Sequence, residues 1–183
     1  EATFADWLAT IAGVRLLTSA EAAAVADLVI NATNGESSLA ALTAAGEANL
    51  AGKVLLDAAN PLDFSDGFPP RLSVCNTDSL AEQIQRAFPA AKVVKSLNTL
   101  NAGVMVDPAA LGLGGTTMFV AGDDAEAKAT VTGLLRDLGW QSILDLGGVE
   151  AARGMEMYLP LWLRIVQSTG NVAFNIAIVP TEG

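Results

Sequence analysis

The sequence predicts an α/β protein in which a mostly parallel sheet carries helices on both faces. Two observations lead there. Strand-like and helix-like segments alternate along the 183 residues, and three apolar runs end in amide and hydroxyl side chains. The runs are Val29-Ile30-Asn31-Ala32-Thr33-Asn34-Gly35, Val54-Leu55-Leu56-Asp57-Ala58-Ala59-Asn60-Pro61-Leu62 and Val93-Val94-Lys95-Ser96-Leu97-Asn98-Thr99. In open α/β sheets ligands gather beyond the carboxyl ends of the strands, so these three ends are expected to form one ligand rim. Pro61 limits the middle run, because proline donates no ladder hydrogen bond and constrains the residue before it.

Local pattern then gives each element. Phe4, Trp7, Leu8 and Ile11 share one face of a short helix that Gly13 ends. Residues 14–17 read as a brief strand, and Thr18-x-x-Glu21 is a capping box opening a helix through Ala26. A strand over 28–33 turns at Asn34–Ser38 into a helix from Leu39 to about Ala45, with Ser37 or Ser38 placed to cap it. Residues 53–60 are the central strand. The Asp, Gly and Pro residues of 63–71 mark a loop positioned to overhang the rim.

Ser79-x-x-Glu82 opens another capped helix, with Leu80, Ile84 and Phe88 on its buried face, and Pro89 closes it before a strand over 93–98. Residues 101–115 read as a surface excursion. A strand over 116–122 follows, then a helix over 125–138 that Gly139 ends, then a strand over 141–146. Asp123 and Asp124 are read as the cap of that helix, since carboxylates favour a helix start without any ion. From 149 to 169 apolar residues cover more than half the circumference of a helix, more than one sheet can bury. Either a second chain packs there or the helix is wedged within its own chain, and a homodimer is the expectation. Pro160 is expected to kink or divide this helix. Val172, Phe174, Ile176 and Ile178 alternate with their neighbours as in a strand, which Pro180 ends.

Composition removes several functions. A net charge of −10 and a pI of about 4.2 argue against a nucleic-acid partner, which would need clustered Lys and Arg. No run of about 20 apolar residues is present to span a bilayer, so no membrane partner is expected. The chain has no histidine, which rules out Ser-His, Cys-His and His-ligand zinc chemistry, and no metal site is expected. One cysteine, Cys75, allows no internal disulfide. With no signal-peptide pattern, a cytoplasmic location is expected.

Proton-transfer candidates at the rim are Asp57, Lys95, Arg153 and Glu156. Asp57 is most simply a strand-end carboxylate bonded to a neighbouring backbone or hydroxyl group. Arg153 and Glu156, three apart on a helix, are most simply a surface ion pair. No carboxylate pair has a spacing that suggests hydrolysis, and no catalytic residue is assigned. Hydride transfer between two redox cofactors needs none, because the reactive atoms belong to the cofactors.

The runs Ala26 to Gly35, Gly52 to Leu62, Lys92 to Thr99, Phe119-Val120-Ala121-Gly122-Asp123-Asp124-Ala125-Glu126-Ala127-Lys128, and Asp145-Leu146-Gly147-Gly148 with Ala151-Ala152-Arg153-Gly154-Met155-Glu156 share one resemblance. In this order they resemble the NADP oxidoreductases that depend on the deazaflavin coenzyme F420. The resemblance implies a Rossmann fold, with a C-terminal extension that contributes to dimer contact and helps close the active site. It implies NADP and coenzyme F420, or a flavin-like alternative, as cofactors and small-molecule partners. Ala32, Thr33, Asn34, Asn60, Pro61, Asn98 and Thr99 match cofactor-binding positions, and Arg153 and Glu156 match positions of substrate or dimer contact. Residues 1–148 would then be a partial NAD(P)-binding Rossmann-like domain and 149–183 a C-terminal helix-and-strand extension. The family opens with a strand and a Gly-x-Gly-x-x-Gly turn that these residues do not include, so the domain is expected to be N-terminally truncated. The first strand of the family would lie beside 28–33, which leaves an unpaired edge there. The expected function is hydride transfer between NADPH and F420 or a related acceptor. The alternative is a non-catalytic Rossmann-like module that dimerises or binds a ligand.

Overall fold

A computed structural model describes residues 4–111 and 116–179. Its main sheet has five strands in the order β1 (Leu28–Asn31), β2 (Val54–Asp57), β5 (Lys92–Ser96), β6 (Thr117–Ala121) and β7 (Ser142–Asp145). A hairpin of β3 (Leu62–Asp63) and β4 (Arg71–Leu72) stands apart, inside the segment expected to be loop alone. β1, β2 and β5 are parallel, and their register places Asn31, Asp57 and Lys95 side by side. β6 runs antiparallel to β5 and β7 parallel to β6, so the sheet is mostly parallel as predicted.

Alternation along the strands divides the core between two faces. Leu55 and Val93 point to one side, where they meet residues of α2 (Ser19–Val25), α3 (Ser38–Ala45), α4 (Glu47–Leu50) and α5 (Leu80–Ala87), which follow the short α1 (Phe4–Ala9). Leu56, Val94, Met118 and Val120 point to the other, against α6 (Ala102–Met105), α7 (Ala125–Asp137) and the buried Trp140. The helix starts follow the sequence signals. Thr18 and Glu21 form both bonds of a capping box, Ser79 accepts from the Glu82 amide, and Asp124 accepts from the Ala127 amide. Pro160 divides the long apolar segment as expected, into α8 (Ala152–Met157) and α9 (Leu159–Thr169), and lies in the first turn of α9, where its missing N–H costs nothing.

Three local expectations are corrected. Residues 14–17 form no strand and join neither sheet, and Val14 and Leu16 stay exposed. Residues 171–179 form no ladder either. β6 already has β5 on one side and β7 on the other; the segment packs Ile176 against the Phe119 and Ala121 cluster, but its hydrogen bonds to β6 among the described residues are confined to Thr117, beyond the last β5 pair. There the Thr117 amide donates to the Ile176 carbonyl and the Thr117 hydroxyl accepts from the Ile178 amide. Pro180 and residues 112–115 lie outside the described residues. Finally, Ser37 makes no capping bond; Asn34 instead accepts from the Glu36 amide and caps the short turn Gly35–Ser37. β1 is an edge strand, with Ile30 exposed, on the side where the unpaired edge was expected. Among the described residues no helix is long and apolar enough to cross a membrane.

Candidate functional site

The carboxyl ends of β1, β2 and β5 meet at one edge of the sheet. Past β1, Ala32, Thr33 and Asn34 are exposed, and the Thr33 hydroxyl donates to Asn31 Oδ1 at 2.7 Å. Gly35 then passes so close to the segment after β2 that a Cβ there would collide with the Asn60 carbonyl oxygen, so only glycine fits. Past β2, Asn60 is half-buried and Pro61 buried. Past β5, Leu97 has φ 65°, a left-handed conformation that costs a side chain about 1–2 kcal/mol. That turn directs the buried Asn98 and Thr99 to the rim.

Asn60 and Asn98 are bonded to each other. Asn60 Nδ2 donates to the Asn98 carbonyl at 2.8 Å, and Asn98 Nδ2 donates to Asn60 Oδ1 at 2.9 Å and to the Met155 carbonyl at 3.1 Å. Both amide orientations follow from these partners, since flipping either would set oxygen against oxygen. Asn98 Oδ1 and the Thr99 hydroxyl are buried with no partner. Three further such atoms, Tyr158 OH, Trp162 Nε1 and Asn175 Oδ1, belong to the C-terminal segment. A cavity of about 150 Å³ lies there, between Thr99, Phe119, Met155, Tyr158 and Ile176.

One layer into the sheet the charged candidates are locked together. Lys95 Nζ lies 2.8 Å from Asp57 Oδ2 and 2.8 Å from Glu156 Oε1, and donates its third hydrogen to the Ala59 carbonyl. Asp57 Oδ1 accepts from Asn31 Nδ2 and from the Ala59 amide, in keeping with a strand-end carboxylate. Glu156 accepts from the Leu80 and Ala81 amides at the start of α5, whose partial positive charge faces the cluster. Burial pulls the Lys95 ammonium down, but Asp57 and Glu156 outweigh it and hold its pKa above the ordinary value. Burial pushes the Glu156 carboxyl up, against Lys95 and the two amides.

The expected surface pair of Arg153 with Glu156 does not exist. Glu156 turns inward, whereas Arg153 grips Glu82 with two bonds and Glu150 with one. Glu156 is buried, while Arg153 stays partly exposed. The sequence reading missed the joint role of Lys95 and Glu156. A lysine inside the run Val93-Val94-Lys95-Ser96 was the available signal, since a lysine buried in a central strand requires a carboxylate.

A mostly parallel sheet ending in this amide and hydroxyl rim defines a Rossmann-like protein of the α/β class. No described family profile matches the chain. It is 56% identical to a solved "putative F420-dependent NADP-reductase" from Arthrobacter sp. FB24, with a TM-score of 0.95 over 97% of this chain and 80% of that one. The chain belongs to the family of the F420-dependent NADP reductases. A hypothetical protein from Sinorhizobium meliloti is 28% identical, with a TM-score of 0.60 over 87% of this chain and 71% of that one. The metalloreductase STEAP3 of Rattus norvegicus is 35% identical over 117 residues, and the match spans 62% of this chain and 22% of that protein.

Proposed function

We propose that the protein is an oxidoreductase that passes a hydride between NADPH and coenzyme F420 or a related flavin-like acceptor. The observation that carries this reading is the closed state of its charged groups: Lys95, Asp57 and Glu156 have spent their donors and acceptors on one another, on the Asn31 side chain and on backbone. No group of that cluster is free to move a proton at the rim. Redox chemistry would come from the bound cofactors, NADPH as hydride source and F420 as acceptor.

The rim fits such ligands. It offers neutral amides and hydroxyls, and the unpartnered oxygens of Asn98 and Thr99 show polar capacity that the protein itself does not fill. Ala32, Thr33 and Asn34, with Asn60, Pro61, Asn98 and Thr99, would hold and orient the two cofactors. Residues 1–148 act as the dinucleotide-binding part, and 149–183 as the extension that closes the cleft. Met157 and Leu161, exposed on α8 and α9, would meet a second copy in a homodimer, with Arg153 near that contact. A reducing cytoplasm suits the NADPH-linked chemistry and the single Cys75.

The test is NADPH-dependent reduction of F420, followed by absorbance. It uses this chain and the chain with a glycine-rich strand-turn-helix of the family joined ahead of Glu1. Reduction in the extended chain is expected, and none in either contradicts the proposal.

A further inference from the structure

Two sets of contacts join the same three segments at the site. In one, Lys95 Nζ meets Asp57, Glu156 and the Ala59 carbonyl. In the other, Asn98 meets Asn60 and the Met155 carbonyl. Asn60 directly follows Ala59, Met155 directly precedes Glu156, and Asn98 follows Lys95 through the left-handed turn at Leu97. Three acceptors converging on one point need three donors on one atom. An ammonium supplies them, whereas the planar fork of an arginine spreads its donors apart.

We propose that Lys95 is the positioning residue of the rim: by holding Asp57, Ala59 and Glu156 at a single atom, it sets where Asn60 and Asn98 stand against α8 and so aligns hydride donor with acceptor. The alignment rests on the hydride-transfer reading above, whereas the placing of the two amides does not. Lys95 itself is fully buried, and its ammonium is taken up by Asp57, the Ala59 carbonyl and Glu156. Its effect on rate is indirect, yet a shift of about 1 Å in such an arrangement can cost about 100-fold.

Lys95→Met alone would strand two buried carboxylates and is expected to unfold the protein. The triple variant Asp57→Asn/Lys95→Met/Glu156→Gln leaves no buried charge at the site and keeps an acceptor on the α5 amides. It is expected to keep its circular dichroism and to bind NADPH within about threefold of wild type, while kcat falls about tenfold or more and KM stays within about threefold. The side-chain amide signals of Asn60 and Asn98 in ¹H–¹⁵N spectra are expected to move. Asp57→Asn alone keeps the Lys95–Glu156 pair and provides a folded second variant, with the same changes at smaller size. Unmoved amide signals in a folded variant overturn the proposal, as does an unchanged kcat where the wild type is active. If the wild type transfers no hydride, the functional reading falls, and the amide signals alone decide whether Lys95 positions the rim.

Discussion

Lys95 and Glu156 form an ion pair sealed from solvent, with 2.8 Å between Nζ and Oε1 and side chains 0% and 1% exposed. Removing one partner of such a pair leaves a buried charge short of a counterion, which costs about 3–5 kcal/mol. Glu156→Ala also strips the Leu80 and Ala81 amides of their acceptor. A loss in that range is expected from urea unfolding, and a loss below about 1 kcal/mol would show that water or another group repairs the site.

Asp78 gives a pH signature. The Arg86 guanidinium, bonded to both carboxylate oxygens, holds its pKa down to about 2. A carboxylate depressed on folding binds its proton less tightly in the folded than in the unfolded chain. Its stabilisation is therefore present above the unfolded value and lost as pH falls through the folded one. The stability gap between wild type and Asp78→Asn should be full near neutral pH and close between about pH 4 and pH 2. A gap that is unchanged across that window contradicts the assignment.

Leu97 holds a left-handed conformation that β-branched side chains tolerate poorly. Leu97→Ile is expected to cost at least about 2 kcal/mol, beyond the roughly 1.5 kcal/mol ceiling usual for volume-conserving core changes. Leu55→Ile, in the extended β2, should stay under that ceiling. Equal costs at the two sites would mean that the turn relaxes.

Two glycines should respond in opposite directions. Gly35→Ala drives a methyl group into the Asn60 carbonyl and should destabilise by about 1–3 kcal/mol while moving the Asn60 amide signals. Gly133→Ala, within α7 and with nothing inside 4 Å, should stabilise by about 1 kcal/mol. Thermal unfolding of the pair checks both signs.

The three strand ends were legible because each apolar run stops at a polar side chain that needs hydrogen-bond partners, such as Asn31 or Asn98, and both are buried with those partners supplied by neighbouring segments. The capping box at Thr18 and Glu21, the Ser79 cap and the break at Pro160 were legible for similar local reasons, although Glu82 bonds the Ser79 hydroxyl and does not close a second box. What local pattern could not show was partnership. Asp57, Lys95 and Glu156 lie on separate elements, so their contact depends on sheet order and on how α8 docks. The alternation at Val172 to Ile178 resembled a strand, but a strand needs an open edge, and β6 offers that segment only its first residue.

The central claim is that hydride passes between two cofactors aligned by the rim, with no protein group in relay. It is tested most directly with NADPH deuterated at the transferred position, using the protein joined to the family's glycine-rich turn. Reduced F420 is expected to carry the deuterium. Appearance of the label in solvent instead would contradict it, since a protein or water relay would then stand between donor and acceptor.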